Sequence, residues 1–330
     1  MPPTLVDIAK RTNTSVSTVS RVLAGGAVAQ RISAETRARV TAAAKAMGYR
    51  PNLLARGLRT RKSNTIALLV TDFANPWYGQ IASLVEEGLH RHGYSMMLCN
   101  SGEDPVREAE YLQMLPQKGI DGMILVPLVR TRRALHEFIP PDLPLVILDR
   151  PISGISASVS SDEEQLAGIL CDTLLRASVR EVALVTGPST IVTHRRRGEI
   201  VSRGFHVVAR HEGPARIETG RQAFIKFGEG RHALPDAIVC TNNFLGQGVI
   251  ETIAQIERPP IIACFDEIPM MHLLPLPIVC SIQDIPMLAD AAVNLLLPQL
   301  TGESPRLQPV IVPARAVTNR AFQTRQSIRA

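Results

Sequence analysis

Short apolar runs alternating with amphipathic helical segments, twice in tandem, constrain this chain more than any other feature. Residues 66–70, 95–99, 122–126 and 144–148 are apolar runs, and the stretches 78–91 and 105–117 between them carry helical spacing. Strands buried on both faces and joined through helices make parallel βαβ units. The alternation restarts after Val159, with a helix over 162–177, strands at 181–186, 206–210, 237–240 and 260–264, and a helix over 245–256. Two such halves predict a two-lobed α/β core with parallel sheets. Sheets of this kind bind ligands at the carboxyl ends of their strands, here in a cleft between the lobes.

The chain has 330 residues, 45% of them hydrophobic but only 4% aromatic, which is enough for several cores of mostly aliphatic character. Cys99, Cys171, Cys240, Cys264 and Cys280 are dispersed, with no CxxC and no histidine at ligand spacing. They read as reduced, buried small hydrophobes, so no metal site and no cofactor is expected. The first ten residues lack the charge-then-apolar pattern of a secretory signal, and no run of about 18 apolar residues exists to span a membrane. A cytoplasmic protein is expected.

Charge is unevenly placed. Residues 1–62 hold twelve Lys/Arg against only Asp7 and Glu35, whereas the rest hold 24 basic and 28 acidic residues. A basic head on a mildly acidic body marks a polyanion-binding module joined to a domain with another task; a merely solvated charged face would not confine the charge to one end. Within the head, Thr4 precedes an apolar-periodic segment with Asp7 three residues on, a capping-box pattern. Asn13 suits a left-handed turn, and Ser15 then caps a second helix from Val16 to Leu23, closed by Gly25 and Gly26. Two short helices joined this way predict a helix-turn-helix. A third helix follows from Ser33 to Met47, with Val40, Ala43, Ala44 and Met47 spaced to cover the first two. The head is therefore expected to be an all-α three-helix domain.

Four motifs in order now carry a resemblance. They are residues 4–9, residues 15–23, Gly48-Tyr49-Arg50-Pro51-Asn52, and Ala55-Arg56-Gly57-Leu58-Arg59. Together they resemble the lac-repressor (LacI/GalR) family of bacterial transcriptional regulators. The core continues the resemblance through residues 72–78, 148–150, 241–243 with Gly248, and 265–268, so it spans almost the full chain. The segment after Thr241 is most similar to the fructose catabolite regulator branch. One departure is Asn13, where the family usually has glycine.

The resemblance implies a helix-turn-helix domain at 1–50, a hinge helix at 51–62 and a two-lobed effector-binding and dimerisation domain at 63–330. The lobes would be 63–159 with 285–311, and 160–283 with 312–326. Val16, Ser17 and Arg21 would read base edges in the major groove, where arginine pairs with guanine and valine meets a thymine methyl. Thr4, Ser15, Thr18, Ser20 and Tyr49 would contact phosphates of double-stranded operator DNA, while Val19 and Val22 face the head's core. Ala55, Arg56 and Leu58 would enter the minor groove, with Leu58 as the apolar wedge of a hinge that orders on DNA.

For the cleft, strand ends place Asp72, Asp149, Asn242, Asp266 and Gln283, whose carboxylates and amides suit polyol hydroxyls. Trp77, the only tryptophan, either stacks on a sugar face or packs in the core. Asp266 either binds ligand or shapes a turn. Resemblance gives an effector contact to Arg195, three residues before Gly198. The neighbouring Arg196 and Arg197 either add to an anion site or solvate a helix face. The cation cluster favours an anionic effector, a sugar acid such as gluconate or 2-ketogluconate, over a sugar phosphate or a neutral sugar. The helix at 198–205 reads as several residues short, leaving the alignment of 199–222 and any aromatic pocket floor open. Residues 318–330 carry no leucine heptads, so a homodimer is expected. No Ser/His/Asp arrangement, HExxH or Walker A pattern supports an enzyme. A transport-type sugar-binding protein shares the core but not the basic head, and an architectural DNA-binding protein would need no polar cleft.

Overall fold

The computed structural model describes residues 3–25, 29–49, 62–228, 234–253, 256, 258–303 and 307–329. The chain divides into two compact units, Met1–Ser63 and Asn64–Ala330.

In the first unit, helix α1 (Leu5–Thr12) opens with a complete capping box between Thr4 and Asp7. It stops at Asn13, whose φ of 48° places it in the left-handed region that asparagine tolerates. Helix α2 (Val16–Ala24) starts on the Ser15 hydroxyl, which accepts the Thr18 N–H, and ends at Gly25. Helix α3 (Ala34–Ala46) is capped by Ser33. Ile8, Ala9, Val19, Val22, Val40, Ala43 and Ala44 make one small core. Arg37 is turned to structural work, donating to the backbone carbonyls of Gln30 and Ile32. The expected hinge contacts Ala55, Arg56 and Leu58 lie outside the described residues.

The second unit holds two six-stranded sheets. The first lobe contains β1 (Thr65–Val70), α4 (Pro76–Arg91), β2 (Ser95–Asn100), α5 (Pro105–Gln117), β3 (Gly122–Leu125), α6 (Arg132–His136), β4 (Leu145–Leu148) and β5 (Ser158–Ser161). The second contains α7 (Glu163–Arg176), β6 (Glu181–Thr186), α8 (Val192–Gly204), β7 (His206–Glu212), α9 (Ile217–Gly228), β8 (Ala237–Cys240), α10 (Asn243–Ile253), β9 (Ile261–Phe265) and β10 (Ile278–Gln283). The chain then returns to the first lobe for α11 (Ile285–Leu300) and β11 (Val310–Val312), and ends in the second with β12 (Ala314–Thr318) and α12 (Arg320–Arg329). The strand orders are β11-β5-β4-β3-β1-β2 and β12-β10-β9-β8-β6-β7. All pairings are parallel except β10 with β12.

Alternate residues of one strand serve opposite cores, as burial on both faces requires. Ile66, Leu68 and Val70 pack under α4 and α11, while Ala67 and Leu69 face Leu112 and Leu115 of α5. In the second lobe Val182 and Leu184 face α7, and Ala183 and Val185 face α9 and α10. All five cysteines are buried free thiols. Cys240, Cys264 and Cys280 stand side by side across β8, β9 and β10.

Three crossings join the lobes, after β5, β10 and β11. Pairing of Ser160 and Ser161 with Ile311 and Val312 extends the first sheet one or two residues past 159 and 311. The crossings are tied together: the Ser161 hydroxyl donates to Gln283 Oε1 at 2.7 Å, the Asp162 N–H to the Val312 carbonyl at 3.1 Å, and the Ala314 N–H to Gln165 Oε1 at 2.8 Å.

Helices α9 and α10 approach closely enough to need glycine. A Cβ on Gly248 would overlap the Ile217 carbonyl, and one on Gly220 the Leu245 carbonyl, both backbone atoms that cannot step aside. Gly248→Ala is expected to destabilise the second unit by roughly 1–3 kcal/mol or more through overpacking. Denaturant unfolding reads this, and an unchanged midpoint would contradict the contact.

Candidate functional site

The exposed face of α2 is mostly polar and carries one cation, Arg21. Val16 is 41% exposed, Ser17 and Arg21 are also exposed, and all three lie on the face opposite buried Val19 and Val22. The Ser15 hydroxyl meets those of Ser17 and Thr18 at 2.8 Å each, so the start of α2 carries a cluster of three hydroxyls. Thr4 is exposed at the start of α1, with both its N–H and its hydroxyl bonded to Asp7. Ser20 and Tyr49 are partly buried.

In the second unit a cleft of about 1180 Å3 opens between the lobes, and all seven residues expected there line it: Asp72, Trp77, Asp149, Arg195, Asn242, Asp266 and Gln283. Asp149 and Asp266 follow β4 and β9, the corresponding strand ends of the two lobes. Their φ angles of 68° and 66° put both in the left-handed region. Such conformations are tolerated by aspartate but strained, and strain of this kind collects at functional sites. Gln283, at the end of β10, donates to Asp266 at 2.9 Å while accepting from Ser161 at a lobe crossing. Asn242 accepts the Leu245 N–H and so opens α10. Its neighbour Asn243 bridges the lobes, donating to Asn75 Oδ1 at 3.0 Å. Asp72 turns the loop after β1 by accepting the Ala74 N–H. Trp77 is only 6% exposed and edge-on to Tyr78. It therefore packs in the first lobe's core and also borders the cleft. The cleft's other aromatic residues are Tyr78 and Phe244. Phe205 goes instead to the core, because α8 ends at Gly204 and β7 starts at His206.

The arginine run is sorted by the helix. Arg196 is exposed and Arg195 half-exposed at the cleft, 3.8 Å from Glu199. Arg197 corrects the reading of a solvated face: its side chain is only 4% exposed. It lies on the buried stripe of α8 with Thr193 and Val201. Its Nε and Nη2 donate to the two Glu163 oxygens at 2.8 and 3.0 Å, and its Nη1 to the Thr241 carbonyl at 3.0 Å. Nη1 is also 3.5 Å from Asp266, and the guanidinium covers the Phe265 ring. Most of its fork is thus spent inside the protein, which leaves little for bidentate capture of a ligand anion. Arg150 is similarly buried, pairing with Glu103 at 2.7 Å and with Asp149 at 3.6 Å.

The cleft floor therefore combines two buried arginines with Glu103, Asp149, Glu163 and Asp266, and has no surplus of positive charge. Surplus cations sit at the rim. Arg130 and Arg216 are exposed, line the cleft and have no carboxylate partner among the described residues. Burial would lower the Arg197 guanidinium, but Glu163 and then Asp266 hold it above its ordinary value. Burial pushes the Asp149 carboxyl up to about 6, against the pull of Arg150 and Arg197. Burial, with Arg197 and Arg150 adding to it, holds His194 well below its ordinary value and so neutral.

Because the folded carboxyl of Asp149 lies above its ordinary value, its contribution to stability is complete at low pH and is lost as pH rises towards about 6. Asp149→Asn stays neutral. Its melting temperature is expected to match the wild type near about pH 4, to exceed it increasingly through about pH 6, and to keep a constant margin above about pH 7. A margin that shrinks with rising pH would contradict the assignment.

Glu163, Glu103 and His194 were given no role from the sequence, and the burial of Arg197 was not foreseen. Only Arg197 left a trace, sharing a four-residue spacing with Thr193 and Val201. Its partners Glu163 and Asp266 are brought to it by other elements.

Fold and site together define a regulator-like architecture, a helix-turn-helix head followed by a two-lobed binding core with a polar cleft. Residues 4–52 match the model of bacterial regulatory proteins of the lacI family, and residues 63–258 that of periplasmic binding proteins and the sugar binding domain of the LacI family. The chain belongs to the lacI family. It is 35% identical over 189 residues to the sucrose operon repressor of Pediococcus pentosaceus, covering 57% of this chain and 56% of that protein. It is 29% identical over 308 residues to the ribose operon repressor of Halalkalibacterium halodurans, covering 90% of each. The lac repressor dimer bound to operator and the anti-inducer ONPF superposes with a TM-score of 0.83 at 21% identity, over 98% of this chain and 99% of that one. The Cra regulator of Pseudomonas putida, in complex with fructose 1-phosphate, superposes at 0.70 and 22% identity, over 77% and 98%. Among the described residues no helix is long and apolar enough to cross a membrane.

Proposed function

We propose that this protein is a sequence-specific DNA-binding transcriptional repressor whose operator affinity is set by a sugar acid, of the gluconate or 2-ketogluconate type, held in the cleft. The head places α2 in the major groove. Val16, Ser17 and Arg21 read bases there, while Thr4, Ser15, Thr18, Ser20 and Tyr49 hold phosphates. The exposure of the first three, opposite a buried Val19 and Val22, supports that assignment. A homodimer sets two heads on a pseudo-palindromic operator, with Ala55, Arg56 and Leu58 in the minor groove between them, and acts at the nucleoid in the bacterial cytoplasm. Arg21→Ala is expected to cost about 1–3 kcal/mol at one base pair and to relax specificity there. Equal weakening on all sequences, read by anisotropy on a base-substitution series, would make Arg21 a phosphate contact.

The observation that carries the effector class is the layered polarity of the cleft. The floor offers Asp149, Asp266, Asn242 and Gln283 to hydroxyl groups, and the rim offers Arg130, Arg195 and Arg216 to an anion. A hydroxylated chain ending in a carboxylate satisfies both. A second reading, a neutral sugar or a sugar phosphate, is favoured by the relatives named for ribose and sucrose and by the structure holding fructose 1-phosphate. A thermal-shift screen over neutral sugars, sugar acids and sugar phosphates separates these, because a ligand bound only by the native state raises the melting temperature. A hit among the acids that is lost in Arg195→Ala supports the proposal. A hit confined to neutral sugars overturns the effector class.

A further inference from the structure

The two buried arginines of the floor are paired with Glu103, Asp149, Glu163 and Asp266, so the negative group of such a ligand calls for other donors beside the rim arginines. Helix α8 supplies a candidate that its sequence does not advertise. It starts at Val192 behind Ile191, which gives no side-chain cap, and its first turn contains no acidic residue. The Ile191 N–H donates to the Pro188 carbonyl, and the Arg195 N–H to the Ile191 carbonyl. The N–H groups of Val192, Thr193 and His194, between them, have no partner among the described residues. Free N–H groups at a helix start, with the positive end of the helix dipole, form a ready anion cradle.

Two side chains in that turn point to a ligand independently of the helix end. Thr193 is 6% exposed and His194 4% exposed, and both line the cleft. The Thr193 hydroxyl has no hydrogen-bond partner among the described residues. The His194 ring packs against Gly187, where any Cβ would come within 2.5 Å of it. Its Nδ1 meets the Thr241 hydroxyl at 2.8 Å, much closer than Thr186 Oγ1 at 3.5 Å. Nε2 has no partner among the described residues, and in the tautomer in which Thr241 donates to Nδ1 it carries the ring proton and can donate to a ligand.

We propose that the first turn of α8 is an oxyanion-binding subsite, in which the N–H groups of Val192, Thr193 and His194, the Thr193 hydroxyl and His194 Nε2 hold the carboxylate or phosphate end of the effector. Arg195, one residue further on, closes the site from the rim. The hydroxylated end of the ligand then lies towards Asp149, Asp266, Asn242 and Gln283. This assignment rests on the anionic-effector reading and adds to it the orientation of the ligand.

The test is calorimetric titration of the full chain with D-gluconate and D-glucitol, which share their hydroxyls and differ at the carboxylate. Inorganic phosphate serves as the probe without a sugar. The wild type is expected to prefer gluconate by about tenfold or more. Thr193→Asp places an acid where a helix start tolerates it, so it should fold while abolishing that preference and phosphate binding. Thr193→Val, which keeps the shape, should weaken gluconate several-fold and leave glucitol unchanged. His194→Gln gives a second reading should Thr193→Asp melt early. If gluconate retains its preference in Thr193→Asp and Thr193→Val, while Asp266→Asn weakens both ligands, the anion lies elsewhere in the cleft and the α8 subsite is overturned. If the wild type shows no preference for gluconate and no phosphate binding, the anionic-effector reading fails and the subsite with it.

Discussion

Glu163→Ala is expected to destabilise the two-lobed unit by about 3–5 kcal/mol, the usual cost of leaving one member of a buried ion pair alone. Glu163 supplies both of its oxygens to Arg197, and the two side chains are only 9% and 4% exposed. Without Glu163, Arg197 keeps the Thr241 carbonyl and a longer approach to Asp266. The pair is not an efficient source of stability, because desolvating two ions consumes most of their attraction. Its placement is more informative than its strength. Glu163 stands just after the first lobe crossing, Arg197 stands on the cleft floor, and Asp266 links that floor through Gln283 to Ser161. A ligand that draws on Asp266 therefore acts on groups bonded to the lobe crossings. Glu163→Gln keeps one good bond and should cost clearly less. Denaturant unfolding of the two variants tests the ranking, and equal small losses would mean that the pair is solvated.

Val19→Asp is expected to abolish operator binding, at least about a hundredfold, while leaving ligand binding in the cleft intact. Val19 has no exposed surface and sits in a core cluster with six other buried residues. A carboxylate has no partner there, and a core of this size cannot absorb the several kcal/mol that burying it costs. The two-lobed unit is a separate compact body with its own four clusters of buried residues. Its ligand-induced melting shift should therefore survive. Retained operator affinity would contradict the head's role, and a lost ligand shift would contradict the independence of the cleft.

Local rules made much of this legible. Capping residues, the left-handed Asn13 and the apolar periods of the strands depend on near neighbours, so a single sequence exposes them. The carboxylates at strand ends were also accessible, because in parallel sheets the carboxyl ends face the ligand whatever else the chain does. The state of each charge was not accessible. Arg195, Arg196 and Arg197 are equivalent as letters, and a helix rotation separates them into a rim cation, a solvated residue and a buried, neutralised one. Glu163 lies 34 residues from Arg197, at a position with no local signal. The α8 turn was hidden for a related reason, since its chemistry is the absence of a cap and of an acid, together with a threonine and a histidine that look ordinary until their burial is known.

The central claim is that occupation of the cleft changes the affinity of the head for its operator, a coupling between two sites. The direct measurement selects a pseudo-palindromic DNA with the protein itself, then titrates that DNA by fluorescence anisotropy with and without a saturating sugar acid shown to raise the melting temperature. The account expects the affinity for the selected DNA to shift by about fivefold or more, and the shift to vanish in Asp266→Asn. A sugar acid that stabilises the protein yet leaves operator affinity unchanged would contradict it.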